Sequence, residues 1–186
     1  MGVRPMHDLG KEHGGIMRMF KVMETVANKL RKSEAVETEH LNKIVEFLAN
    51  FADRCHHGKE EDILFPELTK DTTKTKLINN LLEEHKIGRG FIKKIVNFLK
   101  KYKPGNPEAF NIATNMEGYI RLLTEHIKKE NPIFHEADEK LPEKIQNDMM
   151  EKFEALEKDV IGEGKHEEYH KLLDMLEQIY LPKANF

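Results

Sequence analysis

The sequence predicts an all-α protein, an up-down four-helix bundle with an additional C-terminal helical hairpin, in a single domain of 186 residues. Three observations carry this. Apolar residues recur at steps of three and four through six segments, the signature of helices facing a core. The residue mix is rich in Glu, Lys, Leu, Ile and Met, with no Trp and only seven Pro, which favours helix. Helix breakers fall between the segments, at Pro104–Pro107 (PGNP) and at Gly162 and Gly164. The core bundle is expected over about 7–140 and the C-terminal helices over about 142–181.

The first segment, about His7 to Lys32, places Leu9, His13, Ile16, Phe20, Met23, Ala27 and Leu30 on one stripe. The second, about Thr38 to Phe65, carries Ile44, Leu48, Phe51 and Cys55, with Ser33 or Thr38 as its N-cap and Pro66 as its boundary. The third, about Thr75 to Tyr102, runs Ile78, Leu81, His85, Gly88, Ile92, Ile95 and Leu99. Gly88 lies on that stripe one turn past His85, where a missing side chain would make room beside a buried site. The fourth, about Pro107 to Asn131, aligns Ile112, Met116, Tyr119, Leu123, His126 and Glu130, and Pro132 is expected to interrupt it. Two amphipathic segments follow, Pro142 to about Val160 and His166 to Tyr180.

Composition excludes several roles. The net charge of −3, with both signs interspersed, does not provide the clustered basic face of a nucleic-acid binder. No apolar run is long enough to span a membrane, and the N-terminus does not read as a signal peptide. The single cysteine, Cys55, permits no intramolecular disulfide and reads as an inert buried thiol in a reducing cytoplasm.

The chemistry lies in a repeated order, H, HxxxE, H, HxxxE: His13, His56 with Glu60, His85, His126 with Glu130. Residues four apart share a helix face, so each pair presents an imidazole and a carboxylate to one point. The two halves have nearly equal spacing, which suits a pseudo-twofold site for two metal ions. Bare carboxylates in a bundle core are costly unless paired or bound to a cation. The segment RCHHGKEED holds two overlapping candidates. Helical phase favours His56/Glu60, because Ala52, Ala49 and Val45 precede His56, whereas Asp53, Asn50 and Glu46 precede His57. A π-bulge would shift the phase by one residue and leaves His57/Glu61 open.

Outside this set, His7 and His40 are expected in solvent and His135 on the rim. His166 and His170, flanking Glu167, form a separate metal-capable spacing at the surface or over the bundle. Glu12 and Glu84, each preceding a candidate ligand, are candidates for fixing an imidazole from outside. Tyr119 either packs or bonds a bound ligand.

The order of these residues resembles the hemerythrin-like, or HHE, cation-binding domain family. The strings CHHGKEEDILFP and HIKKENPIF are similar to its two motif cores. The resemblance implies a non-heme di-iron centre with His13, His56, His85 and His126 as terminal ligands. Glu60 and Glu130 would bridge two irons (Fe2+/Fe3+) joined by an oxo or hydroxo group, with zinc or manganese as substitutes. Oxygen-carrying hemerythrins have a second histidine one turn after the third-helix ligand, where Arg89 stands here. They also have an aspartate where Asn131 stands. Four His and two Glu imply a more symmetric, more open site than an oxygen carrier's. The N-terminus lacks the cysteine-containing extension of the family's iron–sulfur repair proteins. The expectation is a cytoplasmic non-heme di-iron protein binding or sensing dioxygen, nitric oxide or iron. The alternatives are a di-iron oxidase or peroxidase, and a helical interaction module with a structural metal site.

Overall fold

The computed structural model describes residues 4–162 and 164–182. Helix α1 (Pro5–Arg31) starts with proline in its first turn, where the missing N–H has no helical partner to lose. The loop after it turns at Ser33, with φ of 59°. The Tyr102 hydroxyl pins this loop, donating to the Val36 carbonyl at 3.0 Å. Helix α2 (Thr38–Glu46) is capped by neither Ser33 nor Thr38; Glu37 holds the cap position without a side-chain bond. The rod then continues through two π-helical stretches, Phe47–His57 and Glu60–Leu64, into α3 (Phe65–Leu68). Pro66 therefore lies in the first turn of a last short helix instead of ending the rod. A short 3₁₀ turn (Thr72–Lys74) leads to α4 (Thr75–Leu99) and then α5 (Pro107–Lys140).

Helix α5 runs straight through Pro132, contrary to the sequence expectation. Pro132 and Lys128, whose carbonyl loses its helical partner, are both exposed, so solvent reaches the freed acceptor and the break costs little locally. Helices α6 (Glu143–Val160) and α7 (Lys165–Tyr180) do not fold back on each other as the expected hairpin but follow one another along α1: Glu157 of α6 reaches Lys59, and α7 continues past Glu12 through His166 to Arg18 through Asp174. Gly162 and Gly164, at φ of 94° and 76°, make the turn between them.

Neighbouring helices of the bundle are antiparallel. Arg4 bonds Asp138 while Arg31 bonds Glu117, which orders α5 against α1. His85 meets His126 while the Gly88 backbone lies beside Leu123, which does the same for α4 against α5. Glu61 meets His85 and Asp53 meets Arg89, which sets the second rod against α4. The interior holds two apolar clusters. The larger, around Phe20, Phe47, Phe51, Met116 and Tyr119, receives α7 through Leu173 and Leu176. The smaller, around Leu9, Leu64, Phe65, Ile133 and Phe134, receives α6 through Met149 and Phe153. A layer of buried polar side chains separates them.

Candidate metal centre

That layer contains all six sequence-predicted residues and one more. His13, His56, Glu60, His85, His126 and Glu130 are each at most 4% exposed, and His57 is 3% exposed. Their donor atoms fall into two groups: His13, His56, Glu60 and Glu130 in one, and His57, Glu60, His85 and His126 in the other. His56 and His57 are therefore not competing registers. The rod is π-helical through both of them and again from Glu60. The wider turn brings successive side chains closer in angle. Both imidazoles reach the interior, His56 towards His13 and His57 stacked on His85 with centroids 3.8 Å apart. Five histidines result where the sequence count gave four. The fifth comes from the second rod and not from the third-helix position occupied by Arg89.

The two carboxylates join the groups. Glu60 has Oε1 at 3.4 Å from His56 Nε2 and Oε2 at 3.5 Å from His85 Nε2. Glu130 has Oε2 at 3.3 Å from His13 Nε2 and Oε1 at 3.0 Å from His126 Nε2. These are close ionic approaches without hydrogen-bond geometry: both oxygens of Glu60 and of Glu130, and both ring nitrogens of His13, are buried with no hydrogen-bond partner. Such orphaned groups need an explanation. Two donors at right angles on one first-row cation, each roughly 2.1 Å away, lie about 3 Å apart. Divalent cations placed between the donors would account for both the spacing and the missing partners.

The protonation chemistry fits the same occupant. Burial lowers His56 to about 4 despite the neighbouring Glu12, and burial beside His85, His56 and His126 holds His57 well below its ordinary value. Both rings are thus neutral ligands at pH 7. Burial, reinforced by Glu130, pushes the Glu60 carboxyl well above the usual range. Burial would raise Glu130 too, but His126 and His13 outweigh it and hold it low. A cation would supply the positive charge that Glu60 lacks.

Four of the five imidazoles are fixed from behind. Nδ1 of His56 donates to Glu12 at 2.9 Å, of His57 to Asp53 at 3.2 Å, of His85 to Glu61 at 2.7 Å and of His126 to Glu84 at 2.9 Å. With Nδ1 carrying the proton, Nε2 faces the site as a lone pair. Between His85 and His126, whose Nε2 atoms hydrogen-bond at 2.9 Å, one ring also carries a proton at Nε2; burial opposes it, but Glu130 and Glu84 raise His126 above its ordinary value, and a cation would take that proton's place. Glu12 and Glu84 do act from outside, but across the bundle: each holds a histidine of the neighbouring rod, not the one it precedes. His13 has no carboxylate behind its Nδ1 among the described residues and instead stacks on Phe134 with centroids 5.1 Å apart.

Each anchoring carboxylate is capped in turn by a cation. Arg89 spans Asp53 at 2.8 Å and Glu61 at 2.5 Å, and Lys129 pairs with Glu84. Lys59, only 1% exposed, bonds Glu12 at 2.6 Å, Asp8 at 2.9 Å and Glu157 of α6 at 3.3 Å. Burial opposes ionisation of Glu12, but His166, His56 and Lys59 reverse this and keep it below the carboxylate range. Nothing in the sequence singled out Lys59, Asp53 or Glu61 for these roles: the partners of Lys59 and Glu61 lie on other helices, and Asp53, four residues before His57 on the same rod, read as part of its polar face.

The remaining expectations divide. His166 stops one residue short of the centre, 3.7 Å from Glu12; His170 is half-buried near Phe51 and Glu167 is exposed. His7 and His135 are exposed, but Nδ1 of His40 lies 2.7 Å from the Tyr180 hydroxyl. Gly88 makes room for Leu123 and Tyr119, which a Cβ would meet at 3.3 and 3.5 Å, and not for a metal. Tyr119 is buried with its hydroxyl unpartnered. Burial raises the Cys55 thiol to about 12, which makes it unreactive. No helix among the described residues is long and apolar enough to cross a membrane.

Comparison with known proteins is consistent with this arrangement. The pattern of the hemerythrin HHE cation-binding domain matches residues 4–137. An uncharacterized protein of Mycobacterium bovis and uncharacterized proteins of two Mycobacterium tuberculosis strains are each 24% identical over 159 residues. The alignment covers 84% of this chain and 62% of each relative. The chain thus spans less than two thirds of the curated relatives it matches. No solved structure matches it.

Proposed function

The chain belongs to the hemerythrin HHE cation-binding domain family, and on that premise we propose that it is a non-heme di-iron protein that binds or senses a small diatomic ligand, dioxygen or nitric oxide. His13, His56, Glu60 and Glu130 would hold one iron, and His57, His85 and His126 would hold the other, with the two carboxylates reaching both groups. The observation that carries this reading is the reach of Glu60 and Glu130, each with one oxygen towards either histidine group. A mixed imidazole and carboxylate set suits iron.

Bound iron would supply the electrons and the open coordination position that a diatomic ligand requires. The protein supplies the rest. The carboxylates behind His56, His57, His85 and His126 keep Nδ1 protonated and Nε2 directed inward. The apolar clusters above and below exclude water and strengthen each charge interaction inside. Five histidines are unequally divided, three against two, so the position served by His13 and His56 has fewer protein donors and is the one with room for an exogenous ligand.

Metal analysis of the freshly purified protein, followed by anaerobic mixing of the reduced form with nitric oxide or dioxygen, tests the proposal. Two irons per chain and an optical change on mixing are expected. Content below one iron per chain, or content unaffected by Glu130→Ala and His57→Ala, would overturn it.

A further inference from the structure

We propose that the two cation positions differ in affinity: the three-histidine position (His57, His85, His126) fills first and holds its cation, and the two-histidine position (His13, His56) fills last and exchanges. This rests on the two-cation reading above and adds an order to it.

The carboxylates do not produce the difference. Glu60 approaches His56 and His85 almost equally, at 3.4 and 3.5 Å, and Glu130 serves His13 and His126 in the same divided way. The histidines do. The first group has three rings, and all three are locked through Nδ1 by Asp53, Glu61 and Glu84. Stacking of His85 on His57 adds to this rigidity. Little side-chain freedom remains to be lost when a cation arrives. The second group has two rings, and only His56 is locked, by Glu12. His13 has neither ring nitrogen bonded and is positioned by Phe134 and by the edge of His56. Loss of a carboxylate behind a ligand histidine typically lowers metal affinity by about 10–100-fold, and the missing third ring acts in the same direction.

Flanking charge does not reverse the order. Arg89 stands behind the three-histidine group, but it is 39% exposed and neutralised by Asp53 and Glu61. Lys59 stands behind the two-histidine group fully buried, at the carboxylate that anchors His56. Lys59 is likewise neutralised, by Glu12, Asp8 and Glu157, so neither cation stands unpaired beside its group and the histidines decide the order.

Titrating the chelator-stripped full chain with Mn2+, followed by electron paramagnetic resonance and calorimetry, tests this. The expected result is a first equivalent bound at least about tenfold more tightly, seen as an isolated-ion signal that grows to one equivalent. The second equivalent then couples to the first and the signal collapses. In His13→Ala the first step should persist and the second be lost; in His57→Ala the first step should weaken. Uptake of two equivalents in one phase, without an isolated-ion stage, would overturn the unequal positions while leaving the two-cation reading intact. Uptake of fewer than two by the unaltered protein would overturn the two-cation reading itself. The unaltered protein alone decides both, so neither answer depends on a variant folding.

Discussion

Glu60→Leu should stabilise the cation-free protein while abolishing its response to metal. Glu60 is 0% exposed, and both its oxygens lack a hydrogen-bond partner. Burial and the Glu130 charge raise its pKa well above the ordinary carboxylate value. A raised carboxyl contributes its full stability only below the unfolded value, and that contribution is lost as pH rises towards the folded one. At pH 8 the cation-free fold therefore carries more of the cost of this group than it does near pH 4.5. Leucine, of similar size and apolar, removes it. An unsatisfied buried polar group costs about 1–3 kcal/mol, more if charged. For a chain of this length each kcal/mol moves Tm by roughly 2–4 °C. Metal-stripped Glu60→Leu should thus melt about 3–10 °C above the parent at pH 8, with the gap closing towards pH 4.5.

The response to added cation should run the other way. A ligand at about 100 times its Kd stabilises a one-site protein by about 2.7 kcal/mol. The parent should gain at least that, and the variant little or nothing. Calorimetric melts of both proteins at pH 5 and pH 8, with and without Mn2+, measure both effects. If the stripped variant melts below the parent at pH 8, the carboxylate has a structural partner and the argument from strain is wrong. If Mn2+ raises both melting temperatures equally, Glu60 is not a ligand.

Three further outcomes follow from neighbouring parts of the structure. Asp53→Ala removes the anchor of His57 and should weaken the tighter cation by about 10–100-fold; an unchanged Mn2+ isotherm would show that this hydrogen bond does not position the ring. Lys59→Met leaves Glu12, Asp8 and Glu157 without their shared ammonium and should cost about 3–5 kcal/mol at pH 7. Because Glu12 is held below its ordinary range, that gap should narrow in urea melts as pH falls below 4.5 and the carboxylates protonate. Gly118→Ala would place a Cβ 2.5 Å from the Phe91 ring and should lower stability by about 1–3 kcal/mol with no change in metal content.

The bundle was legible because its evidence is periodic. Each stripe of three-and-four steps needs only local geometry, and the predicted segments match α1, the second rod, α4, α5, α6 and α7 closely. The exception, Pro132, concerned a residue on an exposed flank, where sequence reading had no way to know that solvent would take up the freed carbonyl. The HxxxE pairs were legible for the same local reason. The anchors were not. Glu12 to His56, Asp53 to His57, Glu61 to His85 and Glu84 to His126 mostly join different helices, so spacing along the chain does not encode them, and Glu12 and Glu84 drew notice only by standing beside a candidate histidine.

The histidine count shows where helical phase stops being a guide. Phase arithmetic assumes one residue-per-turn value throughout, and under that assumption His56 and His57 cannot both face inward. The rod between Phe47 and Leu64 does not keep to it. A π-helical stretch is less favourable than a regular α-helix, and a chain keeps one where it gains something else by doing so. Here it gains a second inward imidazole in place of the one that α4 lacks at Arg89. The tandem CHHGKEED carries a trace of this, since two histidines followed by two glutamates at matching spacing is redundant if only one register is used. Arg89, free of ligation, instead crosses Asp53 and Glu61 and fixes the two carboxylates that orient His57 and His85. The residue that looked like a missing ligand thus supports the replacement, so Arg89 and the π-helical register belong to one arrangement. Restoring a histidine at position 89 without straightening the rod would remove the clamp on both anchors.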